Sequence, residues 1–164
     1  MLLYLLRHGI AEDHGSRGSD AERELTDEGR EKTRAALTAV KAMKFFAPEL
    51  VVSSPLIRAK QTAEIALESF AKGAKFEISD SIRSESEVTD TMSFVAKKAK
   101  DFSRIMLVGH EPHLSQLGSA LLGSVSTVIE MKKSAIAKFE ITRLDVPRMR
   151  GYLVALLPAK IGNL

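Results

Sequence analysis

Three short apolar runs, each ending abruptly in residues that carry chemistry, constrain this chain more than any other feature. Residues 1–6 run into Arg7-His8-Gly9, residues 49–53 run into Ser54-Pro55 with Arg58 just beyond, and residues 104–108 run into Gly109-His110. Short, nearly continuous apolar runs bounded by turn formers read as strands buried on both faces. Such strands belong to parallel sheets covered by helices.

The segments between the runs have helical character. Thr26 before Asp27 and Glu28 is an N-cap with an acidic first turn, opening a helix to about Lys44 with a core stripe of Ala36, Leu37, Val40 and Met43. Ser54-Pro55 supplies a cap and a first-turn proline for a helix to about Phe70, which puts Arg58 on its first turn. A weaker strand is expected at 76–78, a helix at 88–100, and a helix at 112–122 directly after His110. Residues 135–142 and 152–157, separated by a turn containing Pro147 and Gly151, suggest an antiparallel pair. Residues 9–24 form a long polar loop of the kind that carries function.

The expectation is one domain over residues 1–164, a three-layer α/β/α sandwich with a mostly parallel central sheet and antiparallel strand pairing near the C-terminal end. With 164 residues, 45% of them hydrophobic, there is enough material for one core. The formal net charge of +3 is too small to mark a nucleic-acid binder, though a basic cleft for an anion would account for it. There is no cysteine, so disulfides and thiolate metal sites are excluded. The run at 1–6 is too short for a signal sequence and no apolar stretch approaches the roughly 20 residues of a membrane span. A cytoplasmic monomer without a membrane or nucleic-acid partner is expected.

In open α/β sheets the ligand crevice lies at the carboxyl ends of the strands, so Arg7, His8, Arg58 and His110 should converge. The helix N-termini near Pro55 and Pro112 would point amide donors at an anion there. An imidazole bracketed by arginines outlines a phosphoryl-transfer site. His110 and His113 also make an H-x-x-H spacing, but with no third ligand evident a metal site is not expected. Gly9, Gly15 and Gly18 do not match a dinucleotide fingerprint, and no Walker A pattern occurs.

At motif level the chain resembles the histidine phosphatase superfamily (phosphoglycerate mutase-like), and within it the short SixA-type phosphohistidine phosphatases. The resemblance rests on residues 4–12 (YLLRHGIAE), 25–29 (LTDEG), 53–63 (SSPLIRAKQTA), 108–113 (VGHEPH) and Met131-Lys132-Lys133, in that order along nearly the whole chain. It implies a phosphoglycerate mutase-like fold and a phosphatase that works without metal or other cofactor. His8 would be the nucleophile, attacking phosphorus with one ring nitrogen while the other is hydrogen-bonded. Arg7 and Arg58 would grip the phosphoryl oxygens through paired donors, with Gly9 beside them in substrate binding. His110, cationic in the complex, would stabilise charge on the transferring group. His113 is read as a surface or supporting residue, His14 as a loop residue and Lys132-Lys133 as a solvated pair.

One departure bears on the substrate. Relatives that cleave phosphate esters carry a glutamate after the third strand to protonate the leaving alkoxide, whereas the aligned slot here holds Ser84. Glu85 and Glu87 lie close by but out of register, leaving Glu85 as the candidate acid. Imidazole, whose protonated form has a pKa of about 6.5, leaves readily once its ring is protonated, so a site without a dedicated acid favours phosphohistidine over a phosphate ester. Residues 79–103 also leave no room for a cap domain, so the cleft should admit a phosphohistidine displayed on a protein. A histidine phosphotransfer domain or a phosphocarrier in signal transduction is the expected partner. The alternatives are a small-molecule phosphomonoesterase using Glu85 or Glu87 as acid, and a non-catalytic phosphate-binding module.

Overall fold

A computed structural model describes residues 1–15, 18–43 and 46–163. Six strands and four α-helices alternate as expected: β1 (Leu2–Arg7), α1 (Asp27–Ala42), β2 (Leu50–Ser53), α2 (Ile57–Ser69), β3 (Lys75–Ile78), α3 (Val88–Lys98), β4 (Arg104–Gly109), α4 (His113–Leu121), β5 (Ile136–Arg143) and β6 (Arg150–Leu157). They build one sheet in the order β3-β2-β4-β1-β5-β6. β1, β2, β3 and β4 run parallel, while β5 is antiparallel to both β1 and β6.

The alternation of side chains along the strands creates two cores, one on each face of the sheet. Leu3, Leu5, Val52, Ile105 and Leu107 face Met92 and Val95 of α3 and Leu114 and Leu117 of α4. Tyr4, Leu6, Val51, Met106 and Val108 face Leu37 and Val40 of α1 and Ala59 and Ala63 of α2. β1 and β4 lie in the middle of the sheet and are buried on both faces, which explains why their sequences are uninterrupted apolar runs. Among the described residues there is no separate cap domain. No helix among the described residues is long and apolar enough to cross a membrane.

Local signals set the helix starts. Thr26 caps α1, its hydroxyl accepting from the Gly29 amide at 3.0 Å. The chain crosses closely here, because the Ile10 carbonyl accepts from the Thr26 amide at 3.0 Å. A Cβ placed on Gly29 would lie 2.0 Å from that same Ile10 oxygen. Several boundaries differ from expectation. α2 begins at Ile57 rather than Pro55, with Leu56 as an N-cap that makes no side-chain hydrogen bond. Met43, expected in the core stripe, caps the end of α1 at 47% exposure; Lys44 falls outside the described residues. β6 begins earlier than the apolar pattern, because Arg150 and Gly151 pair through backbone with Arg143 and Ile141. Three 3₁₀ turns, Asp20–Glu22, Asp80–Ile82 and Ala159–Asn163, were not expected.

Candidate active site

Strand register brings the chemistry together. β1 and β4 pair in parallel with Arg7 opposite Gly109, so His8 and His110 leave neighbouring strands side by side. The His8 amide donates to the Gly109 carbonyl at 3.0 Å, continuing the ladder past the end of the strand. The two imidazoles lie 5.0 Å apart, tilted by 52°. β2, on the other side of β4, delivers Ser54, whose amide donates to the Val108 carbonyl at 3.0 Å. Arg58 projects from the first turn of α2 and is 5% exposed.

The hydrogen bonds of His8 decide its tautomer. Nδ1 lies 2.7 Å from the Gly9 carbonyl oxygen, which can only accept, so Nδ1 carries the proton and Nε2 keeps its lone pair. Burial, together with the nearby His110, Arg58 and Arg7, pushes the His8 pKa down to about 3. The ring is therefore neutral at physiological pH, with the lone pair of Nε2 available. Gly9 serves this geometry: its amide donates to the Thr62 hydroxyl at 3.2 Å and its carbonyl orients His8. A Cβ there would also lie 2.4 Å from the Thr33 hydroxyl.

Burial and the Arg58 charge likewise press His110 down to about 3, against opposing pulls from Asp20 and Glu85. In the free site His110 is thus neutral, whereas a cation was expected in the complex. An anionic phosphoryl group beside it would favour its protonation. Its Nε2 is 2.8 Å from the Ser54 hydroxyl.

The arginines are held by residues distant in sequence. Arg7 Nη1 donates to the Met131 carbonyl at 2.8 Å. Arg58 Nη1 donates to the Asp20 carbonyl at 2.7 Å and Nη2 to its carboxylate at 2.8 Å. Asp20 also accepts from Arg23 at 2.6 Å and approaches His14 at 3.1 Å. Bonds from Arg23 and Arg58 hold its carboxyl down at about 2. These contacts leave buried Nε of Arg7, Nε of Arg58 and Nδ1 of His110 without hydrogen-bond partners. Two guanidinium N–H donors and a ring nitrogen without partners around His8 fit a site shaped to receive an anion, because buried polar groups are otherwise nearly always satisfied.

The remaining expected residues lie elsewhere or behave differently. Glu85 is exposed and its carboxyl is held below the usual range, first by the Ser84 hydroxyl, so it is ionised at neutral pH rather than poised as an acid. His113, read as a surface or supporting residue, is fully buried between α4 and α3, with Nε2 2.8 Å from the Thr91 hydroxyl. No group of three or more metal-ligating side chains occurs among the described residues. Asp20, Ser54 and Thr62 escaped the sequence reading of the site, as did Glu111, whose carboxyl is raised chiefly by burial. Only Thr62, one helical turn beyond Arg58, carried a positional signal.

Known proteins share the fold. SixA, a protein histidine phosphatase whose structure contains tungstate, has 22% sequence identity, a TM-score of 0.83 and 97% coverage of each chain. A mycobacterial glucosyl-3-phosphoglycerate phosphatase in complex with VO3 has 20% identity and a TM-score of 0.72, covering 96% of this chain and 99% of the other. An uncharacterized protein of Picosynechococcus sp. is 29% identical over 138 residues, 83% of this chain and 82% of that one. Residues 3–84, which carry Arg7, His8 and Arg58, match the family model described as histidine phosphatase superfamily (branch 1). The chain belongs to the histidine phosphatase superfamily.

Proposed function

We propose that this phosphatase removes phosphate from phosphohistidine displayed on another protein, passing it through His8. The carrying observation is the neutral His8 with its Nε2 lone pair free, surrounded by orphaned nitrogens of Arg7, Arg58 and His110. With the substrate imidazole protonated from solvent at its other ring nitrogen, Nε2 of His8 attacks phosphorus, the P–N bond of the substrate breaks with its electron pair passing to the leaving nitrogen, and neutral imidazole departs. The arginines and His110 stabilise charge on the transferring group. Water then cleaves the new P–N bond at His8, releasing inorganic phosphate and restoring the free imidazole. No metal takes part in these steps.

Two observations favour an imidazole leaving group over an alkoxide. Glu85, beside the Ser84 that the motif resemblance aligns with the acid of ester-cleaving relatives, is an exposed carboxylate held in its ionised form. Between β3 and β4 stand only a 3₁₀ turn and α3, so the rim is low enough for a protein-borne phosphohistidine. The partner under this reading is a histidine phosphotransfer domain or a phosphocarrier. The similarity to a phosphatase named for glucosyl-3-phosphoglycerate supports a second reading, a small-molecule phosphomonoesterase.

Turnover of a phosphohistidine protein, phosphoserine and phosphotyrosine peptides and sugar phosphates at equal enzyme tests the two. The proposal expects the phosphohistidine protein to be fastest, and faster ester hydrolysis would overturn it. Acid-labile phosphate should be trapped on the wild type and not on His8→Ala, and a chelator should leave turnover unchanged.

A further inference from the structure

A cleft of about 710 Å³ shares Arg7 with the phosphoryl site. Lys32 of α1, Lys132 and Lys133 of the segment before β5, and Lys160 of the final 3₁₀ turn stand around it, with Glu130 the one carboxylate in its lining. Ile10 and Pro158 also line it, so the walls combine apolar surface with cations. Lys32 is paired with Glu28 and Lys132 with Glu130. Lys133 and Lys160 have no carboxylate partner among the described residues.

Lysine charges distributed over three separate elements suit several carboxylates spaced along a chain better than one compact anion. They are also lysines rather than arginines: strongly hydrated, flexible point charges suited to attraction at a distance more than to gripping one planar group. We infer that this cleft docks acidic side chains flanking the phosphohistidine of the substrate protein, an inference that rests on the proposed phosphohistidine activity. Continuity through Arg7 lets one protein segment present its phosphoryl group to His8 while its neighbouring carboxylates lie among the lysines. Docking of this kind lowers KM and speeds association without touching the chemical step.

The test uses the triple variant Lys32→Gln, Lys133→Gln, Lys160→Gln, three residues outside the catalytic machinery. A synthetic Glu-rich helical peptide without phosphate and its Gln counterpart are titrated calorimetrically against wild type and variant. Both enzymes are also assayed on a phosphorylated histidine phosphotransfer domain and on phosphoramidate. The Glu peptide should bind wild type, lose about tenfold in affinity in the variant, and weaken as salt screens the charges. KM for the phosphorylated domain should rise by a similar factor of about ten while phosphoramidate turnover is unchanged. Equal binding of the Glu peptide to both enzymes, or equal binding of the Gln peptide to wild type, would overturn the inference. So would binding of pyrophosphate with no binding of the Glu peptide. A wild type that binds the Glu peptide yet spares phosphohistidine proteins would instead overturn the substrate reading, leaving the acidic docking cleft in place.

Discussion

Lowering the pH from 7 to 5 should reveal how firmly the fold holds its paired imidazoles neutral. His8 and His110 both lie at about 3 in the folded protein, against about 6.5 for an imidazole in water. With the folded value below the unfolded one, the unfolded chain takes up protons first as the pH falls. Stability is therefore full above about 6.5 and is lost progressively between there and about 3. From pH 7 to pH 5 an unfolded histidine goes from roughly a quarter to roughly 97% protonated while the folded ring stays neutral, a loss of about 2 kcal/mol for each residue. His113, also depressed by burial, adds to the loss, whereas the raised Glu111 carboxyl opposes it. A variant isolates one share. Urea unfolding at both pH values should show wild type losing about 2 kcal/mol more than His8→Gln. Losses agreeing within about 0.5 kcal/mol would refute the depressed value. Nitrogen-15 spectra of the ring at pH 5 should still show the neutral Nδ1–H tautomer, and a resonance titrating near 6.5 would refute it independently.

Further expectations follow from contacts around the site. Asp20→Ala removes the carboxylate that holds a 5% exposed Arg58; KM should rise about tenfold with a smaller change in kcat, about 1.4 kcal/mol of ground-state binding. Steady-state kinetics of the variant check this, and an unchanged KM would reduce Asp20 to a surface ion pair. Gly29→Ala forces a Cβ to 2.0 Å from the Ile10 carbonyl and should cost about 3 kcal/mol, read by denaturant unfolding, because backbone on both sides must move. Glu85→Gln together with Glu87→Gln should leave phosphohistidine turnover within about twofold of wild type, since neither group is asked to donate a proton; a fall of a hundredfold would restore Glu85 as an acid.

Legibility in the sequence followed burial. β1, β2 and β4 were readable because both faces are covered, leaving no polar residue to interrupt them. β3 sits at the sheet edge with Phe76 and Ile78 substantially exposed, so its pattern was faint. The start of β6 was invisible because Arg150 and Gly151 join by backbone pairing, which no hydrophobic period records. Arg7, His8, Arg58 and His110 stood out because each follows an apolar run at a strand end. Asp20 and Ser54 did not, since their roles depend on contacts 38 and 56 residues away. The depressed pKa values were equally out of reach, being products of enclosure rather than of residue type.

The central place of β1 gives the site a temporal property. The strand that leads into His8 precedes both of its sheet neighbours, β4 and β5, which come from the second half of the sequence. A nascent or proteolysed N-terminal half would hold His8, Arg7 and Arg58 without the strand that places His110 beside them. Such long-range pairings close late and slowly. The convergence of Arg7, His8, Arg58 and His110 is then a property of the finished sheet, absent from any molecule that has not yet added β4 and β5 to β1.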